Sequence, residues 1–84
     1  MSFVKSDKFE GSALECARHA QGMEFDDLAE SSGINARRIA RFELGIDYPN
    51  DIEINALAKS TGVLPRFFFQ AWIKPPEYAF NFRF

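Results

Sequence analysis

The sequence predicts a small all-α domain of five short helices that ends in an extended aromatic tail. Three observations point there. Apolar residues recur at three- and four-residue spacing in successive segments. Those segments are punctuated by residues that cap or stop helices, with Asp, Asn or Glu at their starts and glycine at their ends. A proline pair, Pro75-Pro76, then forbids further helix, and the sequence beyond it changes to a period of two.

The first helix is expected over about residues 8–21. Asp7 followed three residues later by Glu10 has the form of a capping box, and Phe9, Ala13, Leu14, Ala17 and Ala20 share one face. Gly22 stops it. A second helix opens near Glu24, where Glu24, Asp26 and Asp27 favour the positive end of the helix dipole. Leu28 and Ala29 give it an inward face, and Ser31-Ser32-Gly33 ends it. Asn35 is a suitable N-cap for a third helix from Ala36 to about Leu44, with Ile39 and Phe42 on one side and Gly45 closing it.

Tyr48-Pro49-Asn50 is a loop. Asn50 and Glu53 form a capping box for a fourth helix, whose apolar stripe is Ile54, Leu57 and Ala58 and whose stop is Thr61-Gly62. Pro65 suits the first turn of a fifth helix containing Phe67, Phe68, Phe69, Ala71 and Trp72. In the tail, Phe80, Phe82 and Phe84 point the same way if the chain is extended. A lone strand is unstable in water, so this stripe is expected to pack on its own domain, to pair with another copy, or to lead into a further segment.

At 84 residues the chain holds one domain, expected over residues 1–74 with the tail at 75–84. With 46% hydrophobic and 26% charged residues it has enough apolar material to fold. Ten phenylalanines exceed what one small core requires, which suggests that some serve a partner surface. Cys16 is the only cysteine; it cannot form an internal disulfide, and it is expected to be a buried or half-buried small hydrophobe. Residues 1–10 lack the apolar run of a signal peptide, and no stretch approaches the ~20 apolar residues of a membrane span. The expected location is cytoplasmic. His19 has no metal-spaced partners, and no paired base and nucleophile or phosphate-cradling glycine loop occurs. Neither an enzyme, a cofactor nor a metal site is expected.

The net charge of −2 does not favour nucleic-acid binding, but its distribution is uneven. Arg37, Arg38 and Arg41 cluster in the third helix, whereas Glu24, Asp26, Asp27 and Glu30 cluster in the second. Within residues 25–44, Ala29 is small where the second and third helices come closest, and Gly33 occupies the turn. Leu28, Ile34, Ile39 and Phe42 are apolar where the two helices bury a shared face. A tight glycine-containing turn between two short helices is the topology that places a helix in the DNA major groove.

From Leu14 to Leu64 the sequence resembles the Cro/CI-type (XRE-family) helix-turn-helix domain. The likeness rests on Leu14 and Arg18, on Asp27-Leu28-Ala29-Glu30 before Ser32-Gly33-Ile34, and on Ile39 through Gly45. Pro49, Leu57-Ala58 and Gly62-Val63 complete it. The resemblance implies a λ-repressor-like fold and a DNA-binding transcriptional regulator, a homodimeric repressor acting through its third helix. It implies a structural ion pair between Arg18 and Glu43. Ala36, Arg37 and Arg41 would read base edges, with Asn35 and Arg38 nearer the backbone, since arginine reads guanine bidentately and a small methyl suits thymine. The sequence departs from the family at Phe25, where a glutamine often contacts DNA; Phe25 is either a protein contact or an extra core residue. Trp72, Phe80, Phe82 and Phe84 are the expected dimer or partner surface. The alternative is a protein-interaction module, an antitoxin or anti-repressor, on the same scaffold.

Overall fold

In a computed structural model, which describes residues 2–73, a four-helix body is closed by a ribbon made from the two ends of that range. Strand β1 (Ser2–Lys5) precedes α1 (Gly11–Ala20), α2 (Phe25–Ser32), α3 (Ala36–Glu43) and α4 (Asp51–Thr61). A 3-10 turn (Pro65–Phe69) and strand β2 (Gln70–Ile73) follow.

The boundaries of the interior helices follow from local chemistry. Asn35 Oδ1 accepts from the main-chain N–H groups of Arg37 at 2.8 Å and Arg38 at 3.4 Å, satisfying two of the orphan donors at the start of α3. At α4 the capping box is reciprocal. Glu53 N donates to Asn50 Oδ1 at 2.8 Å, and Asn50 N donates to Glu53 Oε1 at 2.9 Å. Gly33 closes α2 and Gly62 closes α4, both left-handed at φ 77° and 74°. A side chain there would be strained.

The core joins every helix. Leu14, Leu28, Ile39, Phe42, Leu57 and Phe68 are fully buried, with Phe9, Ala13, Ala17, Ile34, Ile54 and Ala58 around them. The Phe9 ring lies 5.3 Å from that of Phe68, 6.2 Å from Phe42 and 6.5 Å from Phe69. Each large side chain removed from water contributes about 1.5–3 kcal/mol, so this aromatic cluster fastens the segment before α1 to the 3-10 turn.

Five expectations need correcting. The fifth helix is only a 3-10 turn, and Ala71 and Trp72 lie in β2 instead. That strand pairs antiparallel with β1 in the register Ser2↔Ile73, Phe3↔Trp72, Val4↔Ala71, Lys5↔Gln70. The pairing gives main-chain groups at 70–73 partners that a continued helix would have found locally. The first helix begins at Gly11, not near residue 8. Asp7 does not cap it; the preceding chain pairs with the 3-10 segment through Ser6 N to Phe69 O and Glu10 N to Phe68 O, both 2.7 Å. Ala20 is exposed at the end of α1, and so is Cys16. The tail at 75–84, with Phe80, Phe82 and Phe84, lies outside the described residues.

Candidate nucleic-acid interface

Helices α2 and α3 are separated by Gly33, Ile34 and Asn35. Gly33 N donates to Ala29 O at 2.9 Å, and Ile34 N donates to Ser32 Oγ at 3.2 Å. Ile34 is buried, so this turn is held from below by an apolar anchor and at its exit by the Asn35 cap. The half-buried Ala29 lets the helices approach. Leu28, Ile39 and Phe42 fill the shared face, which leaves the opposite face of α3 toward solvent.

That face carries Arg37 and Arg41, four residues apart and therefore adjacent on the helix surface. Both are exposed; Ala36 is half-buried beside them. Arg37 has no carboxylate partner among the described residues. Arg41 Nε donates to Asp47 Oδ2 at 2.7 Å. Arg38 points the other way, toward α4, where Nε and Nη2 meet Glu53 Oε2 and Oε1 at 2.9 and 3.0 Å. Its guanidinium carbon also stands 4.9 Å from the centre of the Phe42 ring.

These contacts shift the acids. Hydrogen bonding from Arg41 holds the Asp47 carboxyl below the usual carboxylate range, and hydrogen bonding from Arg38 does the same for Glu53, helped by the Asn50 amide. Neither acid was recognised as an arginine partner from the sequence. Glu53 shows in the sequence only as a cap, and Asp47, between Gly45 and the Tyr48-Pro49-Asn50 loop, carries no signal there.

Beneath the interface lies a second arginine arrangement. Arg18 Nε and Nη2 meet Glu43 Oε2 and Oε1 at 2.7 and 3.1 Å, and Nη1 donates to Met23 O at 2.8 Å. The guanidinium also lies 4.1 Å above the centre of the Phe25 ring. The hydrogen bond to Glu43 raises the Arg18 pKa above its ordinary value against the opposing effect of burial. Phe25, half-buried against the core, thus packs inward and supports the pair. The α2 acids Glu24, Asp26, Asp27 and Glu30 remain exposed, and Asp27 accepts from Glu24 N at 2.8 Å.

Elsewhere the chemistry is sparse. His19 Nε2 lies 3.8 Å from Glu15 Oε2 on the exposed side of α1. No group of three or more His, Cys, Asp or Glu able to hold a metal occurs among the described residues. Nor is any described helix long and apolar enough to cross a membrane.

The packed α2–turn–α3 unit, with α1 and α4 behind it, has the Cro/CI-type helix-turn-helix fold. A solved structure of this shape is the restriction-modification controller protein C.AhdI from Aeromonas hydrophila. It matches with a TM-score of 0.68 and 29% sequence identity, over 70% of this chain and 89% of that one. No protein-family model matches the chain, and no curated protein does.

Proposed function

We propose that the chain is a DNA-binding transcriptional regulator, not an enzyme, that docks α3 in the major groove. The observation that carries this is the exposed pair Arg37 and Arg41 on the solvent face of the second helix of a helix-turn-helix. The likeness to a controller protein supports it. Ala36, Arg37 and Arg41 read base edges. Asn35 contacts a phosphate through its amide nitrogen, since its oxygen is committed to the cap. Arg38 reaches the backbone by exchanging Glu53 for a phosphate. The regulator is a cytoplasmic homodimeric repressor whose two α3 helices read half-sites about one helical turn apart; Trp72 and the aromatic tail supply the dimer contact, and residues 1–74 form the DNA-binding domain.

The test is selection from a random-sequence duplex pool at ~50 and ~200 mM salt, across which phosphate-driven affinity falls steeply. Enrichment of a two-fold sequence establishes the dimeric regulator; no enrichment at either salt refutes DNA reading.

One observation favours a second reading as a protein-interaction module. Glu24, Asp26, Asp27 and Glu30 present four exposed carboxylates on α2, while Asp47 and Glu53 occupy two of the three α3 arginines. That reading predicts capture of a protein partner with no retardation of DNA at low salt.

A further inference from the structure

We propose that Asp47 is a positioning residue for base recognition: it holds the Arg41 guanidinium through Nε and leaves Nη1 and Nη2 as a two-pronged donor for guanine. The inference rests on α3 being the helix that enters the major groove.

The backbone builds this arrangement. After α3, Gly45 adopts φ 76° and turns the chain back on itself. Ile46 N and Asp47 N then both donate to the main-chain carbonyl of Arg41, at 3.0 and 3.3 Å. The Asp47 carboxylate accepts from Arg41 Nε at 2.7 Å. Main chain and side chain therefore link the same two residues. The carboxylate's place beside Arg41 is set by the turn and not by the free rotation of an exposed side chain.

The atom chosen matters. Arginine can meet guanine O6 and N7 side-on through Nε and one Nη, or end-on through both Nη groups. With Nε occupied, only the end-on mode is left, and no acceptor among the described residues takes Nη1 or Nη2. The carboxylate also repels phosphates on any duplex. Asp47 thus lowers affinity for DNA in general while sharpening the preference for guanine. Loss of a merely structural residue would weaken both, and loss of a simple competitor for Arg41 would strengthen binding to every duplex by one factor.

The experiment uses the full chain and the two-fold sequence it enriches, with each base placed in turn at every position and a scrambled duplex as reference. Wild type is expected to prefer guanine at one position per half-site, and Arg41→Ala to abolish that preference. Asp47→Ala is expected to reduce it about tenfold while binding the scrambled duplex as well as wild type or better. Asp47→Ser replaces it should the alanine variant melt early by circular dichroism. Retention of the full guanine preference by the Asp47 variant overturns the inference, as does a change of equal factor on every duplex, or a guanine preference indifferent to Arg41. Each of these leaves DNA binding standing. If wild type enriches no sequence, the DNA-binding reading fails and the inference fails with it.

Discussion

Arg18 and Glu43 meet in two parallel hydrogen bonds of 2.7 and 3.1 Å, with each side chain only 7% exposed. The pair ties α1 to the last residue of α3, so it fixes the helix that presents Arg37 and Arg41. Removing one partner strands a buried charge and costs about 3–5 kcal/mol. Arg18→Ala should be the worse variant, because it also releases Met23 O and the Phe25 face. A domain this small loses roughly 4–8 °C of melting temperature per kcal/mol, so either single variant should melt more than ~10 °C early. Replacing both partners, Arg18→Met with Glu43→Leu, should cost less than either single change, because no charge is left unpaired. Thermal melts of the four proteins check this; a double variant as damaged as the sum of the singles would contradict it.

Gly11 begins α1 directly against the end of α3, where a Cβ would press on the main-chain carbonyls of Phe42 and Glu43. Helix propensity favours alanine by up to ~1 kcal/mol, yet contact with unyielding backbone costs about 1–3 kcal/mol. The contact should win, and Gly11→Ala should lower the melting temperature despite being the better helix former. An unchanged or raised value would mean that α1 and α3 can part at little cost.

Acid should weaken the surface frame around α3. Asp47 and Glu53 have folded pKa values below the ordinary ones, chiefly through hydrogen bonds from Arg41 and Arg38. A depressed folded pKa gives stability that is fully present above the unfolded value, about 4, and is lost as pH falls through the folded value. The double variant Asp47→Asn, Glu53→Gln should therefore melt somewhat below wild type at pH 7, the gap closing as pH drops below about 4. Both pairs are exposed to water, so the gap is small. Melting temperatures from pH 7 down to 2.5 test it, and a gap that widened in acid would reverse the sign.

The interior helices were legible because their signals are local. Asn35, Asn50 with Glu53, Gly33 and Gly62 act on main chain within four residues, and each does structurally what its type suggested. The ends were not. The start of α1 and the fate of residues 70–73 depend on pairing between segments more than sixty residues apart, Ser6 with Phe69 and Phe3 with Trp72, and such pairing leaves no periodic trace in either segment alone. The site divides similarly. The exposure of Arg37 follows from helical spacing against Ile39 and Phe42. The capture of Arg38 by Glu53, fifteen residues on, depends on how α4 crosses α3. The exposed Cys16 shows the same limit, since a position on α1 says nothing by itself about which side the other helices cover.

The three α3 arginines should differ on DNA, and the difference follows from their partners. Among the described residues Arg37 has no carboxylate to displace, so its full charge and fork are available to a base edge or phosphate. Arg38 already has Nε and Nη2 committed to Glu53, and that carboxylate offsets its charge toward a phosphate. Arg37→Ala should therefore cost about 1–3 kcal/mol on the selected sequence and relax the base preference at one position. Arg38→Ala should change affinity less, alter no base preference, and lower stability slightly by freeing Glu53. Titrations at several salt concentrations separate the cases: a lost phosphate contact reduces the slope of log affinity against log salt by about 1, whereas a lost base contact leaves the slope nearly unchanged. If Arg38→Ala proved the more damaging to sequence preference, the face of α3 assigned to the bases would have to rotate toward α4.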